Sequence, residues 1–299
     1  MNWLKSKKIV AVHSGNFHPD DVFSVALLSI LNNNKIKVIR TREVEEYSKA
    51  DFVVDIGFEY DPIRKKFDHH QKGGAGSRNE HINYSAFGLL WKEYGEKVCG
   101  SKKIADILDT KLVAVIDADD CGFEICKSVI DGICPFAVTD VIYSMVPDWK
   151  EDSLETDTFF LKAVVFAKNV ILREIKITKD EIEAENIVTD IYNKSKDKRI
   201  IIFENGYFPR NSLSLHPEPM FAIYKERDGE RWRVTTVRKS EYTYESRLNF
   251  PETWWGKDKN DLAQITGVKD AMFCRDGGVF AGAETKEGAI ELARKALNN

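Results

Sequence analysis

Ile9-Val10-Ala11-Val12-His13-Ser14-Gly15-Asn16-Phe17-His18-Pro19-Asp20-Asp21 is the stretch from which the fold is read. Lys8–Val12 is short, apolar and rich in β-branched residues, which predicts a buried strand. It runs into a loop holding two histidines, and Asp20 and Asp21 then open a helix over Val22–Leu31. Acids in a helix's first turn complement its dipole, so this pair also has a purely local explanation. After the Asn32-Asn33-Asn34 turn come a second strand, Ile36–Thr41, a short polar helix, Glu43–Lys49, and a third strand, Phe52–Ile56. This alternation predicts an α/β fold with a doubly wound, mainly parallel sheet. Ligands of such sheets gather at the carboxyl ends of the strands. His13 and Asp55 fall at such ends, and Asp117 follows the apolar run Leu112–Ile116 in the same way.

A further short strand, Lys65-Lys66-Phe67, delivers the triplet Asp68-His69-His70. Four of the six histidines therefore lie in two stretches that end apolar structure. His13, His18, Asp20, Asp55, His69, His70 and Asp117 form one set of carboxylate and imidazole donors. Oxygen and nitrogen donors suit Mn²⁺, Mg²⁺, Zn²⁺ or Fe²⁺, and the scarcity of cysteine argues against a thiolate site, with Cys121 and Cys126 beside the acidic stretch read as core thiols ahead of metal ligands. Taken singly, each has a plain reading: a hydrogen-bonded loop histidine, or an aspartate capping the next helix. Asp21 and the pair Asp119-Asp120 are read that way, as helix-start acids outside the ligand set. Taken together in one α/β frame, the set predicts a two-metal hydrolase, in which an aspartate bridges cations roughly 3.5–4 Å apart and acidifies a shared water.

Composition narrows the class. A chain of 299 residues buries a sizeable core and predicts two domains. With 43% hydrophobic and 31% charged residues it reads as globular. A net charge of -4 gives no overall attraction to nucleic acid, so such binding would rest on local basic patches. Five cysteines with no CxxC pair predict reduced thiols rather than a disulfide framework. Neither a secretory segment nor a membrane-length apolar run is present, so a soluble protein of the cytoplasm or another intracellular compartment is expected, with the short basic N-terminus leaving organelle targeting open.

Further along, Gln71–Asn79 is Gly-rich and flexible. Asn83 or Ser85 starts a helix over Ala86–Tyr94, ended by Gly95, Lys102–Val115 reads as helical or mixed, and Phe136–Met145 forms another helix. Leu154–Lys194 is the longest helical pattern, its charged second half a solvated face. Strands follow at Arg199–Phe203, Met220–Tyr224 and Trp232–Val237, the last two flanking an Asp228-Gly229 turn, and Glu287–Leu297 is a terminal amphipathic helix. The expected division is a metal-binding catalytic domain over 1–170, a connecting helix over 171–197 and a smaller α/β substrate-binding domain over 198–299.

The ordered set of His13–Asp21, Val38-Ile39-Arg40-Thr41-Arg42, Asp68-His69-His70-Gln71, Ser85-Ala86-Phe87-Gly88 and Thr285-Lys286-Glu287-Gly288-Ala289 resembles the melanocyte-proliferating-gene exonuclease family of the DHH phosphoesterase superfamily. The similarity spans nearly the whole chain. The resemblance implies one metal on His13, His18 and bridging Asp55, and a second on Asp20, Asp55, His69 and Asp117. It implies that Asp68 orients His69 from behind, and that His70 faces the phosphate, stabilising charge or protonating the leaving oxygen. Two divalent cations are implied, Mn²⁺ first, with Mg²⁺ and Zn²⁺ as alternatives.

The second domain of such proteins resembles a substrate clamp. Arg238 and Lys239, interleaved with Tyr242 and Tyr244, fit that role, and Arg247 in Glu245-Ser246-Arg247-Leu248 matches a recurrent family motif for phosphate binding. Arg275, Gly278 and Gly282 stand where relatives carry a Gly-Gly pair for close backbone approach. One of Trp254 and Trp255 at least is expected in the core. The activity implied is 3′-5′ exonucleolysis of single-stranded RNA or DNA. The rivals are hydrolysis of a small phosphorylated molecule such as pyrophosphate or a dinucleotide, and non-catalytic binding of nucleotide or nucleic acid. Partners are then a single-stranded nucleic acid or nucleotide and no membrane, with the oligomeric state, a homodimer among the options, left open.

Overall fold

The computed structural model describes residues 7–299 apart from 80, 152, 205–211, 227, 228 and 230. The expected basic N-terminal tail and Asp228 of the expected turn lie outside the described residues. Two compact units divide between Lys179 and Asp180.

The first unit carries a five-stranded sheet in the order β2-β1-β3-β5-β4, with β1 Lys8–Val12, β2 Ile36–Arg40, β3 Phe52–Val54, β4 Tyr60–Asp61 and β5 Lys66–Phe67. β1 pairs in parallel with both β2 and β3, β3 with β5 in parallel, and only β4 runs antiparallel. Helix α1, Pro19–Leu31, follows β1, and a single turn, α2 Val44–Tyr47, follows β2. β3 is apolar throughout and β1 from Ile9 onward because the sheet is covered there, and Val10, Ala11, Val12 and Val54 are wholly buried. α1 has apolar residues on most faces for the same reason, and it packs against α3, Ala86–Cys99, through Phe23 and Phe87, whose rings are 5.4 Å apart. Each such side chain contributes about 1.5–3 kcal/mol by leaving water.

Helix α3 runs past Gly95, the residue expected to end it, and stops at Gly100 in the left-handed conformation (φ 71°). Gly95 lies inside the helix, where the Trp91 indole occupies the space a side chain would take. The run Leu112–Ile116 is helical, the first of the two readings open for Lys102–Val115. Helix α4, Lys102–Leu108, passes through a π turn, Asp109–Val113, into α5, Ala114–Asp120. A short apolar run does not discriminate strand from buried helix, and length decides here. The unit continues through α6, Val138–Tyr143, into α7, Thr156–Lys194, one 39-residue helix within which the division between the units falls.

The second unit holds another five-stranded sheet, in the order β6-β7-β8-β10-β9: β6 Ile200–Phe203, β7 Phe221–Lys225, β8 Trp232–Thr236, β9 Ala271–Cys274 and β10 Phe280–Ala283. β6 and β7 are parallel and the remaining pairs antiparallel. Helices α8, Lys259–Thr266, and α9, Lys286–Leu297, complete it. Its core gathers Phe221, Ile223, Phe250, Trp254, Leu262 and Leu292. Trp254 is thus a core residue, and the half-buried Trp255 donates its indole N–H to the Phe250 carbonyl at 2.8 Å.

Candidate metal centre

Strand register assembles the centre. Val12 lies opposite Val54, and Val54 opposite Phe67, so the residues that follow, His13, Asp55 and Asp68, line up at the carboxyl edge of the sheet. Asp55 turns the chain there with φ 52°, a left-handed conformation that aspartate tolerates better than most residues. His13 Nε2 lies 3.3 Å from Asp55 Oδ2, and the rings of His13 and His18 are 5.4 Å apart. His69 and His70 extend from Asp68: His69 Nε2 is 3.3 Å and His70 Nδ1 3.4 Å from Asp55 Oδ1.

The amino end of α1 supplies the next carboxylates, both fully buried. Asp21 Oδ1 accepts the His18 backbone N–H at 3.0 Å, the helix-start role expected of it, while its Oδ2 lies 3.0 Å from His13 Nε2. Asp20 Oδ2 accepts the Ala86 N–H at the start of α3 (3.2 Å) and approaches His69 Nε2 to 3.9 Å. The last turn of α5 contributes Asp120, whose Oδ2 is 3.3 Å from His69 Nε2. Three donor sets result, each with its ligand atoms within 4.8 Å of one another: His13, His18 and Asp55; Asp55, His69 and His70; Asp20, His69 and Asp120.

A cation fits these sets on physical grounds. His13 Nε2, Asp20 Oδ1, Asp21 Oδ2, Asp55 Oδ1, His69 Nε2 and Asp120 Oδ2 are all buried, and among the described residues they find no hydrogen-bond partner beyond one another. Buried polar atoms are normally paired, and a cluster of orphans aimed at one place has the form of a ligand site. Protonation states point the same way. Burial pushes Asp20 well up, helped by the charges of Asp55, Asp120 and Asp21, and raises Asp120 to about 6. Burial opposes a charge on His13, yet Asp21 and Asp55 lift it to about 10. Burial also opposes ionisation of Asp55, but His13 and His69 hold it below the usual carboxylate range. These acids demand positive charge, from protons or from metal.

Three expectations need revision. Asp117 is absent from the three donor sets because both its oxygens are already engaged: Ser85 N–H and Oγ donate to its Oδ1 (3.1 and 2.6 Å), and Arg78 pairs with its Oδ2. It is a structural anchor, and Gly88 is part of it, because a Cβ there would fall 2.2 Å from Asp117 Oδ2. Asp120, one helical turn later on the same face, stands where Asp117 was expected. The DAD-D spacing held the signal, but it is legible only once the run is known to be helical. Second, Asp68 serves His70 rather than His69: its Oδ1 meets His70 Nδ1 at 2.8 Å and accepts the His70 N–H at 3.0 Å. The third concerns the second unit. Arg247 donates to the carbonyls of His216, Pro217, Pro219 and Ser214 at 2.6–3.1 Å, so its guanidinium is taken up by the chain. Lys239 pairs with Glu245 (2.6 Å), and Arg275 lies 5.4 Å over the Phe280 ring. A Cβ on Gly278 would strike the Trp255 indole, and one on Gly282 the Phe273 ring, so both are packing glycines. Arg238, 4.5 Å over the exposed Tyr244 ring, keeps an open setting.

Arg42 ends the Val38-Ile39-Arg40-Thr41-Arg42 segment of the family resemblance, which assigns it no role in the site. With His13, His18, Asp55, Gly57, Phe58, Asp68 and His70 it lines a pocket of about 130 Å³ at the cluster. Its Nε donates to the Ser14 carbonyl at 3.2 Å, and its NH2 group lies 3.3 Å from His13 Nδ1. Val12 opposite Arg40 puts it two residues beyond the β2 edge, a position only strand register reveals.

Residues 9–297 match the family model MYG1_exonuc, described as "Uncharacterised protein family (UPF0160)". A MYG1 protein of Schizosaccharomyces pombe is 27% identical over 321 residues, covering 97% of each chain. The human protein named MYG1 exonuclease is 26% identical over 324 residues, covering 96% of this chain and 85% of its own length. The Rattus norvegicus protein of the same name is 26% identical over 332 residues, covering 99% and 86%.

Proposed function

This chain belongs to the UPF0160 family of MYG1 exonuclease proteins, and we propose that it is a metal-dependent phosphodiesterase that trims single-stranded RNA or DNA from the 3′ end. The observation that carries the reading is the buried, unsatisfied cluster sharing Asp55. His13, His18 and Asp55 would hold one divalent cation; Asp20, His69 and Asp120, with Asp55 shared, would hold a second. Bound there, two such ions, Mn²⁺ by preference, supply Lewis acidity toward the phosphate and a more acidic water.

The chain's own residues do the rest. For His13 to offer Nε2 as a ligand, its Nδ1 carries the proton and donates to the Ser14 carbonyl at 3.2 Å. Asp68 fixes His70 through Nδ1, which leaves Nε2 free on a side chain that is 53% exposed. Asp68 also raises the His70 pKa, so the ring keeps a proton to hand to the departing sugar oxygen. Arg42 lends a fixed positive charge to the scissile phosphate. In the second unit, Arg238 stacked on Tyr244 is the pair we retain for holding the strand.

The deciding experiment is a length-resolved assay with Mn²⁺ or Mg²⁺ on end-labelled single-stranded RNA and DNA, alongside pyrophosphate and a dinucleotide, with Asp55→Asn as control. A ladder shortening from the 3′ end, absent from the control, is the expected result. Turnover of the small substrates alone would replace the exonuclease reading with a small-molecule phosphohydrolase.

A further inference from the structure

We infer that Phe58 forms a nucleobase-stacking subsite beside the metal centre, an inference that rests on the exonuclease reading and adds to it a contact with the base next to the reacting phosphate. Phe58 is 71% exposed although it is large and apolar, and it lines the same pocket as His13, His18, Asp55 and His70. Its ring stands edge-on to the His70 ring, with centroids 6.4 Å apart and planes at 74°. The backbone carries it there against preference: Asp55, Gly57 and Phe58 all have positive φ (52°, 99° and 55°), and for a bulky residue that region is an outlier. Such a conformation persists where its surroundings over-determine it, and functional sites are where it concentrates.

The restraint is visible. Asp68 Oδ2 accepts the Phe58 N–H at 2.5 Å while Asp68 Oδ1 holds His70, so one buried carboxylate sets both the phosphate-facing imidazole and the aromatic ring. Ile63, 91% exposed, differs: it sits on a turn where Asp61 accepts its N–H, and it is not part of the lining of this pocket. A flat, accessible ring beside a phosphate site matches what a nucleobase offers. Proteins that bind single strands stack bases on aromatic side chains, and tolerate any sequence because every base has a π face. Pyrophosphate or an aliphatic phosphate ester has no ring to stack and would gain nothing from it.

The test is binding of two 5′-fluorescein-labelled single-stranded DNA decamers, followed by anisotropy in Mn²⁺. Both carry a terminal phosphorothioate linkage that slows cleavage; one has a normal 3′-terminal base and the other an abasic 3′ end. Wild type is expected to favour the base-bearing end about tenfold. Phe58→Ala should bring the two dissociation constants together, and Phe58→Trp should restore the preference, with thermal unfolding verifying that both variants are folded. A preference that survives Phe58→Ala, or binding of both decamers by wild type without preference, overturns the subsite alone. Failure of wild type to bind either decamer overturns the nucleic-acid reading, and the subsite with it.

Discussion

The carboxyl edge of the first sheet and the basic positions of the second unit offer the same currency, charged side chains next to aromatic rings, in opposite states. At the sheet edge, His13, Asp20, Asp21, Asp55, His69 and Asp120 are buried with polar atoms that, among the described residues, meet only one another. In the second unit, Arg247 spends its guanidinium on four carbonyls, Lys239 is paired with Glu245, and Gly278 and Gly282 make room for Trp255 and Phe273. Residue type alone nominated both regions. What separates them is whether the fold has already used the group, since an unpaired buried polar atom is costly and persists where something outside the chain repays it.

The largest effect should come from the shared aspartate. Asp55→Asn removes a charge common to two donor sets, and metal-dependent hydrolysis should fall by about three orders of magnitude, read as the initial rate on a labelled single strand. A variant that keeps the wild-type rate would erase the distinction drawn above.

Next, Asp117 and Asp120 divide the contrast within one helix. Asp117→Asn leaves Arg78, whose side chain is 10% exposed, without one of its two carboxylates and should cost about 3–5 kcal/mol in urea unfolding. Mn²⁺ affinity measured on the folded variant should change little. Asp120→Asn should do the reverse, weakening Mn²⁺ binding at least tenfold with little loss of stability. Equal effects of the two would mean that the geometry does not separate anchor from ligand.

A smaller effect is expected of Arg247→Ala: about 2–3 kcal/mol of stability, from four carbonyls losing a charged donor, with strand affinity per folded molecule unchanged. Loss of affinity at unchanged stability would restore it as a phosphate ligand. Lys239→Ala, breaking an exposed pair with Glu245, should move stability by under about 1 kcal/mol.

Much of this was legible in the chain. The strand–helix rhythm gave the first sheet, and β1 matches its expected bounds, Lys8–Val12, because β-branched apolar runs leave few alternatives. His13, His18, Asp20, Asp55 and His69 come together because each sits next to the end of a regular element, where spacing is informative. That Asp120 rather than Asp117 approaches His69 was not legible, because Lys102–Val115 reads as helical or mixed and only a helix continued through Asp120 turns that residue toward His69. Arg42 and Phe58 were missed for a related reason. One depends on strand register, the other on a run of positive φ, and neither leaves a periodic mark in the sequence.

Calorimetric titration of the metal-free protein with Mn²⁺, wild type beside Asp55→Asn, tests the central claim most directly. Two equivalents bound per wild-type chain, with at least one lost in the variant, is the predicted result. Binding of fewer than two ions by wild type, or the same stoichiometry and affinity in both proteins, would contradict it.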